Sequence, residues 1–240
     1  MNYIAMVRNR VVNLWEKKYG KLTYAQCGED VIMKYLFKNY LKKEKPSYLD
    51  IGAHHPTYLS NTFLFYKEKC YGVCVEPDPC LYTYIAKKRP RDIVLNVGVG
   101  LMDNVRSNFY VMKTKTLNTF SKEEAERYQN HENQKIERII ELPLLSVNTI
   151  INRHFKECPD LISLDVEGLD YDILTSIDFV KYRPNVICVE TITYSENSTQ
   201  RKLTEISEYL IKNDYWIYAD TFINTIFVDQ KIMSKGNAGY

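Results

Sequence analysis

Apolar and polar positions change period several times along the 240-residue chain, and each change marks an element. In residues 1 to about 20, Ile4, Val7, Val11, Val12, Leu14 and Trp15 recur at loose helical spacing among Arg8, Arg10, Lys17 and Lys18. That spacing predicts a short basic amphipathic helix, which could cap the domain, pair with another chain or touch a membrane surface. From Glu29 to Leu41, one row of Ile32, Leu36 and Tyr40 lies beside a second of Met33, Phe37 and Leu41, predicting a helix that ends in lysines before Pro46. The period then shortens. Tyr48–Gly52, Tyr71–Glu76 and Ile93–Val97 read as buried strands, and helices from Pro56 to about Lys69 and from Pro79 to Lys88 connect them.

Between about 101 and 160 this alternation is interrupted by a strand-like Phe109–Met112, a charged run from Ser121 to Arg138 and a helix-like Val147–Phe155. The stretch reads as an insertion over the sheet. Leu161–Asp165 and Val186–Glu190 resume as fourth and fifth strands around a helix at Tyr171–Ile177. Tyr215–Ala219 and Thr225–Val228, joined by a few residues, read as an antiparallel hairpin, and Ser234–Tyr240 as a frayed end. The pattern predicts an α/β fold: a Rossmann-like, mostly parallel sheet with helices on both faces and a C-terminal antiparallel hairpin. The expected organisation is an N-terminal extension over 1–22 and a single domain over 23–240.

Composition narrows the partners. Thirty-two basic residues stand against thirty acidic ones, a net charge of +2, which is too balanced for a nucleic-acid surface. No apolar run is long enough for a signal peptide or a transmembrane helix, so a cytoplasmic protein is expected. The six cysteines form no CxxC pairs and no zinc-like spacing with histidine, which fits reduced thiols.

Open parallel sheets bind ligands beyond the carboxyl ends of their strands. Here those ends are polar: Asp50-Ile-Gly-Ala-His-His-Pro56, Glu76-Pro-Asp78, Asn96-Val-Gly98, Asp165-Val-Glu-Gly168 and Glu190-Thr191. The first turn has one glycine, Gly52, where a dinucleotide enzyme would supply three for a pyrophosphate, so an NAD-dependent enzyme is the weaker reading. S-adenosylmethionine carries no phosphate, and one close-approach glycine with Asp50 nearby suits it. Glu76, twenty-four positions beyond Gly52, sits where an acid can bind both ribose hydroxyls, and Asn96 and Gly98 lie where an adenine edge would fall. Asp165 and Glu167, with Glu190 on the next strand, could take a proton, orient a substrate or bind a divalent cation; as a helix cap they would do none of these. His54 and His55 are candidate general bases, and adjacency argues against both pointing inward.

These residues resemble the FkbM-type methyltransferases, a branch of the class I S-adenosylmethionine enzymes. The resemblance rests on Gln26-Cys-Gly-Glu-Asp30, Tyr48–Pro56, Ser60-Asn-Thr62, Glu76-Pro-Asp78, Leu117-Asn-Thr-Phe120, Leu164-Asp-Val-Glu-Gly168 and Arg183-Pro184, in family order. It implies methyl transfer from S-adenosylmethionine to oxygen, usually on a secondary metabolite or a surface glycan, with S-adenosylhomocysteine as product. It suggests Asp50, Gly52 and Glu76 for the cofactor, Asp165 and Glu167 for the site floor, and Gln26, Glu29 and Asp30 reaching in from the preceding helix. Within the matched segments Ala53, Asn61 and Pro77 join the expected cofactor contacts. Many relatives carry a lysine where this chain has Ser163, and a glycine-containing turn where it has His54-His55-Pro56, which shifts the expected base toward a histidine.

The sequence therefore predicts an O-methyltransferase acting on a sugar, either a surface glycan or a nucleotide-sugar, or on a secondary metabolite. Asp165, Glu167 and His54 or His55 are the catalytic candidates. A divalent ion on Asp165, Glu167 and Glu190 is compatible with the spacing and not demanded by it. The rival from another class is a methyltransferase-like binding or assembly subunit without turnover. A homodimer through the N-terminal helix is a further expectation, which light scattering on a chain lacking residues 1–20 would test.

Overall fold

The computed structural model describes residues 20–131, 134–193 and 200–236. The helix expected before residue 20, and with it the dimer contact, lies outside the described residues, as do the last four residues. Ten strands are described: β1 (Tyr48–Ile51), β2 (Gly72–Val75), β3 (Ile93–Leu95), β4 (Gly98–Val99), β5 (Arg106–Met112), β6 (Ile136–Leu145), β7 (Leu161–Leu164), β8 (Val186–Glu190), β9 (Tyr215–Asp220) and β10 (Asn224–Asp229). Seven of them form one sheet in the order β3-β2-β1-β7-β8-β10-β9. The pairs from β3 to β8 are parallel, while β10 runs antiparallel to both β8 and β9. This is the mostly parallel sheet with a closing hairpin that the apolar runs predict.

Every residue of β1, β2 and β7 is buried, because helices cover both faces. Alternate strand residues feed two cores. On one face Leu49, Ile51, Val75, Leu164 and Val189 pack against three helices: α5 (Val147–His154), α6 (Asp170–Thr175) and α7 (Thr204–Lys212). On the other, Tyr48, Cys74, Cys188 and Ile226 meet α1 (Glu29–Tyr35), α2 (Phe63–Lys67) and α3 (Pro79–Lys88). Ser146 caps α5 by accepting from the Thr149 amide, and Asp78 caps α3 by accepting from the Cys80 amide, with Pro79 opening that helix. The remaining strands form a small sheet, β4-β6-β5, beside α4 (Lys122–His131).

Several elements differ from the periodicity. The helix predicted from Pro56 is only Phe63–Lys67, because Leu59 holds a left-handed backbone (φ 54°) and the Ser60 and Thr62 side chains are engaged in buried contacts. The helix from Glu29 continues past Tyr35 as a π-helical turn, Leu36–Tyr40. Helix α7 was not anticipated; its buried stripe is only Ile206 and Leu210. Among the described residues no helix is long and apolar enough to cross a membrane. All six cysteines are free thiols.

Candidate active site

A cleft of about 430 Å³ opens where β1, β2, β7 and β8 end. Gly52 sets its floor. At φ 81°, a Cβ there would lie 1.8 Å from the backbone oxygen of Asp165, so only glycine permits this approach between the β1 and β7 ends. The turn is pinned to β2 by the Gly52 and Ala53 amides, both donating to the Val75 carbonyl at 3.1 Å.

Glu76 lies buried at the end of β2, its two oxygens accepting from the His54 and Asp78 amides at 2.8 and 2.7 Å. Burial pushes its carboxyl up to about 8. Asn96 does not line the cleft; its amide donates to the Glu76 and Pro77 carbonyls and braces the turn. Gly98 packs under Phe120, where a Cβ would meet the ring at 2.3 Å. The small sheet supplies an apolar wall through Val99 and Phe109, and the segment Leu117–Phe120 continues it.

At the ends of β7 and β8 the cleft is acidic. Asp165, Glu167 and Glu190 each bring a carboxylate oxygen within 4.8 Å of the others. Burial, then the neighbouring Asp170 and Asp50, push Asp165 up to about 7. Burial, then Asp165, raise Glu167 and Glu190 well above the ordinary carboxylate range. Glu167 has a left-handed backbone (φ 52°), a conformation non-glycine residues hold only when their surroundings enforce it, and its carboxylate accepts from Tyr128 at 3.0 Å. Asp170, behind them, caps the turn by accepting from the Val166 amide. Among the described residues, the carboxylates of Asp165 and Glu190 accept no hydrogen bond.

Of the residues singled out in the sequence, Gln26, Gly52, His54, Asn61, Glu76, Pro77, Asp165, Glu167 and Glu190 line this one cleft. Asp30, Asp50, Ala53, His55, Asn96 and Gly98 do not. Asp30 holds the start of α1, accepting from the Thr23 hydroxyl and the Tyr24 amide. Glu29 accepts from Thr221 and Asn224, tying α1 to the β9–β10 turn. Asp50 accepts from the Thr62 hydroxyl, below the sheet edge. The paired histidines separate: His54 faces the cleft, whereas His55 turns away, with Nδ1 accepting from the Tyr58 and Thr57 amides at 2.8 and 3.2 Å. Burial lowers both imidazoles below their ordinary value, so neutral rings are favoured. Asn224, not noticed in the sequence, also lines the cleft opposite Glu190 across the β8–β10 ladder. Its buried Oδ1 has no partner. The one signal was an asparagine opening an otherwise apolar, β-branched strand.

A sheet ordered 3-2-1-4-5-7-6 in its own strands, with a phosphate-free glycine turn and a buried acid at the end of the second strand, defines a class I, S-adenosylmethionine-dependent methyltransferase. More narrowly, the chain belongs to the FkbM methyltransferases: the methyltransferase FkbM domain matches residues 50–217. No curated protein matches it. Similar solved structures include the TehB-like S-adenosylmethionine-dependent methyltransferase from Corynebacterium glutamicum, 11% identical, covering 94% of this chain and 98% of that one with a TM-score of 0.42. Another is the O-methyltransferase from Bacillus cereus in complex with S-adenosylhomocysteine, at 12% identity, 95% and 90% coverage and a TM-score of 0.43.

Proposed function

We propose that this methyltransferase acts in the cytoplasm on a hydroxyl of a sugar, in a surface glycan or a nucleotide-sugar, or of a secondary metabolite. The observation that carries the reading is Asp165: a carboxylate at the floor of the cleft, beside the Gly52 turn, with no donor of its own and a pKa of about 7. A carboxylate whose pKa lies near neutrality can take a proton as the acceptor oxygen attacks.

The cleft fits the cofactor on its own features. Gly52 keeps the strand-end space open, Glu76 offers two buried carboxylate oxygens to a ribose diol, and Val99, Phe109 and Phe120 form an apolar wall for a purine. Gln26, Asn61 and Pro77 complete the contacts on that side, while Asp50 and Asp30 act by holding the turn and α1. Bound S-adenosylmethionine supplies a methyl group on a sulfonium. The rest falls to the chain: Gly52 and Glu76 fix the ligand, Asp165 holds the acceptor hydroxyl in line and takes its proton, and His54 closes the cleft beside it. Alignment of the two reactants supplies much of the rate.

Asp165, Glu167 and Glu190 make an oxygen-only set that suits a hard cation in kind, yet three oxygens are half of the six or more such ions take. The proposed reaction runs on the carboxylate alone, and turnover unchanged by EDTA is the expected result. Calorimetric titration with S-adenosylhomocysteine tests the cofactor site: micromolar binding, weakened by Glu76→Ala, is expected. No binding by the intact protein would overturn the reading.

A further inference from the structure

Asn224 opens β10 and forms part of the cleft wall, paired with Glu190 at the end of β8. It is 4% exposed, and among the described residues its Oδ1 is the one buried side-chain polar atom without a hydrogen-bond partner. Leaving a buried acceptor unmet costs about 1–3 kcal/mol, so a fold that keeps one at its binding cleft calls for a donor from outside the chain.

Glu29 sets the direction of that oxygen. Its carboxylate, fully buried and outside the cleft lining, accepts from the Cys27 amide at 2.8 Å, the Thr221 hydroxyl at 2.7 Å and Asn224 Nδ2 at 3.2 Å. An ionised carboxylate accepts and cannot donate, so the nitrogen of the Asn224 amide must face Glu29 and the oxygen must face the other way. The main chain is held as well: the Asn224 amide donates to Thr221 Oγ1 at 3.3 Å, and its carbonyl accepts from the Thr221 amide at 2.9 Å. Glu29 thus reaches the cleft through another residue, which gives the Gln26-Cys-Gly-Glu-Asp30 segment a connection to the site that its own position does not show.

Place along the sheet edge decides which reactant meets the oxygen. Glu76, at the ribose, follows β2; from there the order runs through β1, β7 and β8 to β10, four steps of about 4.8 Å or about 19 Å in all. Asp165 follows β7, half-way along. Because the methyl group must meet the acceptor beside Asp165, the cofactor takes the half towards Glu76 and the acceptor takes the half towards Asn224.

We infer that Asn224 Oδ1 is a recognition point for the acceptor, receiving a hydrogen bond from a second hydroxyl of it, and that Glu29 is the positioning residue that fixes the amide. The arrangement selects a polyol such as a sugar ring: one hydroxyl attacks at Asp165 while another, farther round the ring, donates to Asn224. An acceptor with an ether or carbonyl oxygen at the second position would set two acceptors face to face and is disfavoured. The inference rests on the methyltransferase reading and deepens it by naming the second contact.

The test is methyl transfer by the full-length protein to the methyl glycosides of glucose, galactose, mannose and rhamnose, then to the monodeoxy and deoxyfluoro analogues of the one accepted. Apart from the position that is methylated, one position should stand out. Its deoxy and deoxyfluoro analogues, neither of which can donate, should each lose about tenfold in kcat/KM, the scale of one hydrogen bond. In Asn224→Leu the intact sugar should lose a similar factor and the deoxy analogue nothing further, with S-adenosylhomocysteine affinity within about twofold, which also shows that the variant is folded. Glu29→Gln can donate as well as accept, so it frees the amide to turn over and should reduce the discrimination between the intact and deoxyfluoro sugars at unchanged S-adenosylhomocysteine affinity. An Asn224→Leu loss equal for every analogue would mark a structural role and overturn the inference, as would a deoxyfluoro sugar used as well as the intact one, since the side chain would then be donating. So would weaker S-adenosylhomocysteine binding in Asn224→Leu with 5′-methylthioadenosine binding unaltered, since the oxygen would then serve the amino-acid end of the cofactor. An intact protein that binds no S-adenosylhomocysteine, or binds it and methylates none of the glycosides, is a separate result that removes the underlying reading instead.

Discussion

Two groups of acids hang from the same sheet and meet opposite conditions. Below the sheet edge, Asp50 of β1 and Asp92 before β3 surround the fully buried Arg89. Its guanidinium donates to Asp92 at 2.7 Å, to Thr62 at 2.9 Å and to the Tyr48 hydroxyl at 3.0 Å, and Tyr48 in turn donates to Asp92 at 2.7 Å. Above the edge, Asp165, Glu167 and Glu190 converge with no ion pair and a single donor among the described residues. The first group is buried, where an unmatched charge is costly, while the second is only partly buried along the cleft. The first is completed from within the fold, so it is structural; the second is left open to the cleft, where a ligand can meet it. What separates scaffold from site here is the count of donors around each carboxylate, rather than the presence of carboxylates.

The largest effect expected from this contrast is on stability. Arg89→Ala leaves Asp50 and Asp92 facing each other without a counter-ion and should cost about 3–5 kcal/mol, because removing one partner strands a buried charge. Lysine cannot replace the fork of donors that Arg89 uses, so Arg89→Lys should recover only part of the loss. Urea unfolding measures both. A cost below about 1 kcal/mol, the usual value of an exposed ion pair, would erase the distinction between the two groups.

On the open side the same kind of change should leave stability intact and remove turnover. Asp165→Asn takes away a carboxylate that no protein group satisfies, so unfolding should be unchanged or slightly harder. Turnover should fall about 10²–10⁴-fold, the range for loss of a general base, with S-adenosylhomocysteine affinity nearly unaltered. In the parent protein turnover should rise with pH through about 7, as Asp165 ionises. Lost cofactor binding with intact turnover at saturation would remove Asp165 from the role of base.

Why the first group could not be read in the sequence, while much of the second could, follows from how each is built. Strand ends are marked locally: an apolar run that stops at Asp50-Ile-Gly or Asp165-Val-Glu-Gly points to a sheet edge without knowledge of the rest of the chain. The Arg89 cluster joins residues from β1, α3 and the loop before α2, and its pairing exists only once those elements pack. The same limit explains Asp30 and Asn96. Their side chains bond to neighbouring backbone, and spacing cannot tell a carboxylate that caps a turn from one that faces a ligand. Helix α7 escaped notice because two buried residues, Ile206 and Leu210, make too short a stripe to stand out. Strand β6 was masked by the charges around Arg138 and by Pro143, an unusual residue in a paired strand.

Glu76 belongs to both sides of the comparison, since it is satisfied by two backbone amides and still faces the cleft, and its effect should be intermediate. Its folded value of about 8 stands above its ordinary 4.5, so folding takes up a proton in that window. The stability tied to the protonated form is fully present below about 4.5 and is lost as pH rises through 8. Asp165 and Asp170, pushed up to about 7 and about 6, act in the same direction. The ligand-free protein should therefore be less stable at pH 8 than at pH 6, and Glu76→Gln should flatten that dependence while weakening S-adenosylhomocysteine binding about 10–100-fold. A parent protein whose unfolding midpoint does not move between these pH values would show that Glu76 is solvated by the open cleft.

The smallest effect separates the two histidines. His55 accepts two backbone amides and stacks its edge against Tyr58 and Tyr84, so it is satisfied in the way the Arg89 cluster is. Replacing it by alanine should cost about 1 kcal/mol, the net value of a lost hydrogen bond, and leave turnover at saturating substrates unchanged. His54 faces the cleft and makes no such side-chain bond, so His54→Ala should leave stability alone and lower turnover by weakening closure around the acceptor. Each histidine then follows the rule drawn from the acids: the one whose acceptors are filled by the chain supports the fold, and the one left open meets the ligand. A tenfold loss of turnover in His55→Ala with unfolding unchanged would break that rule at its mildest case, since a side chain completed entirely by backbone would then be acting on the reaction.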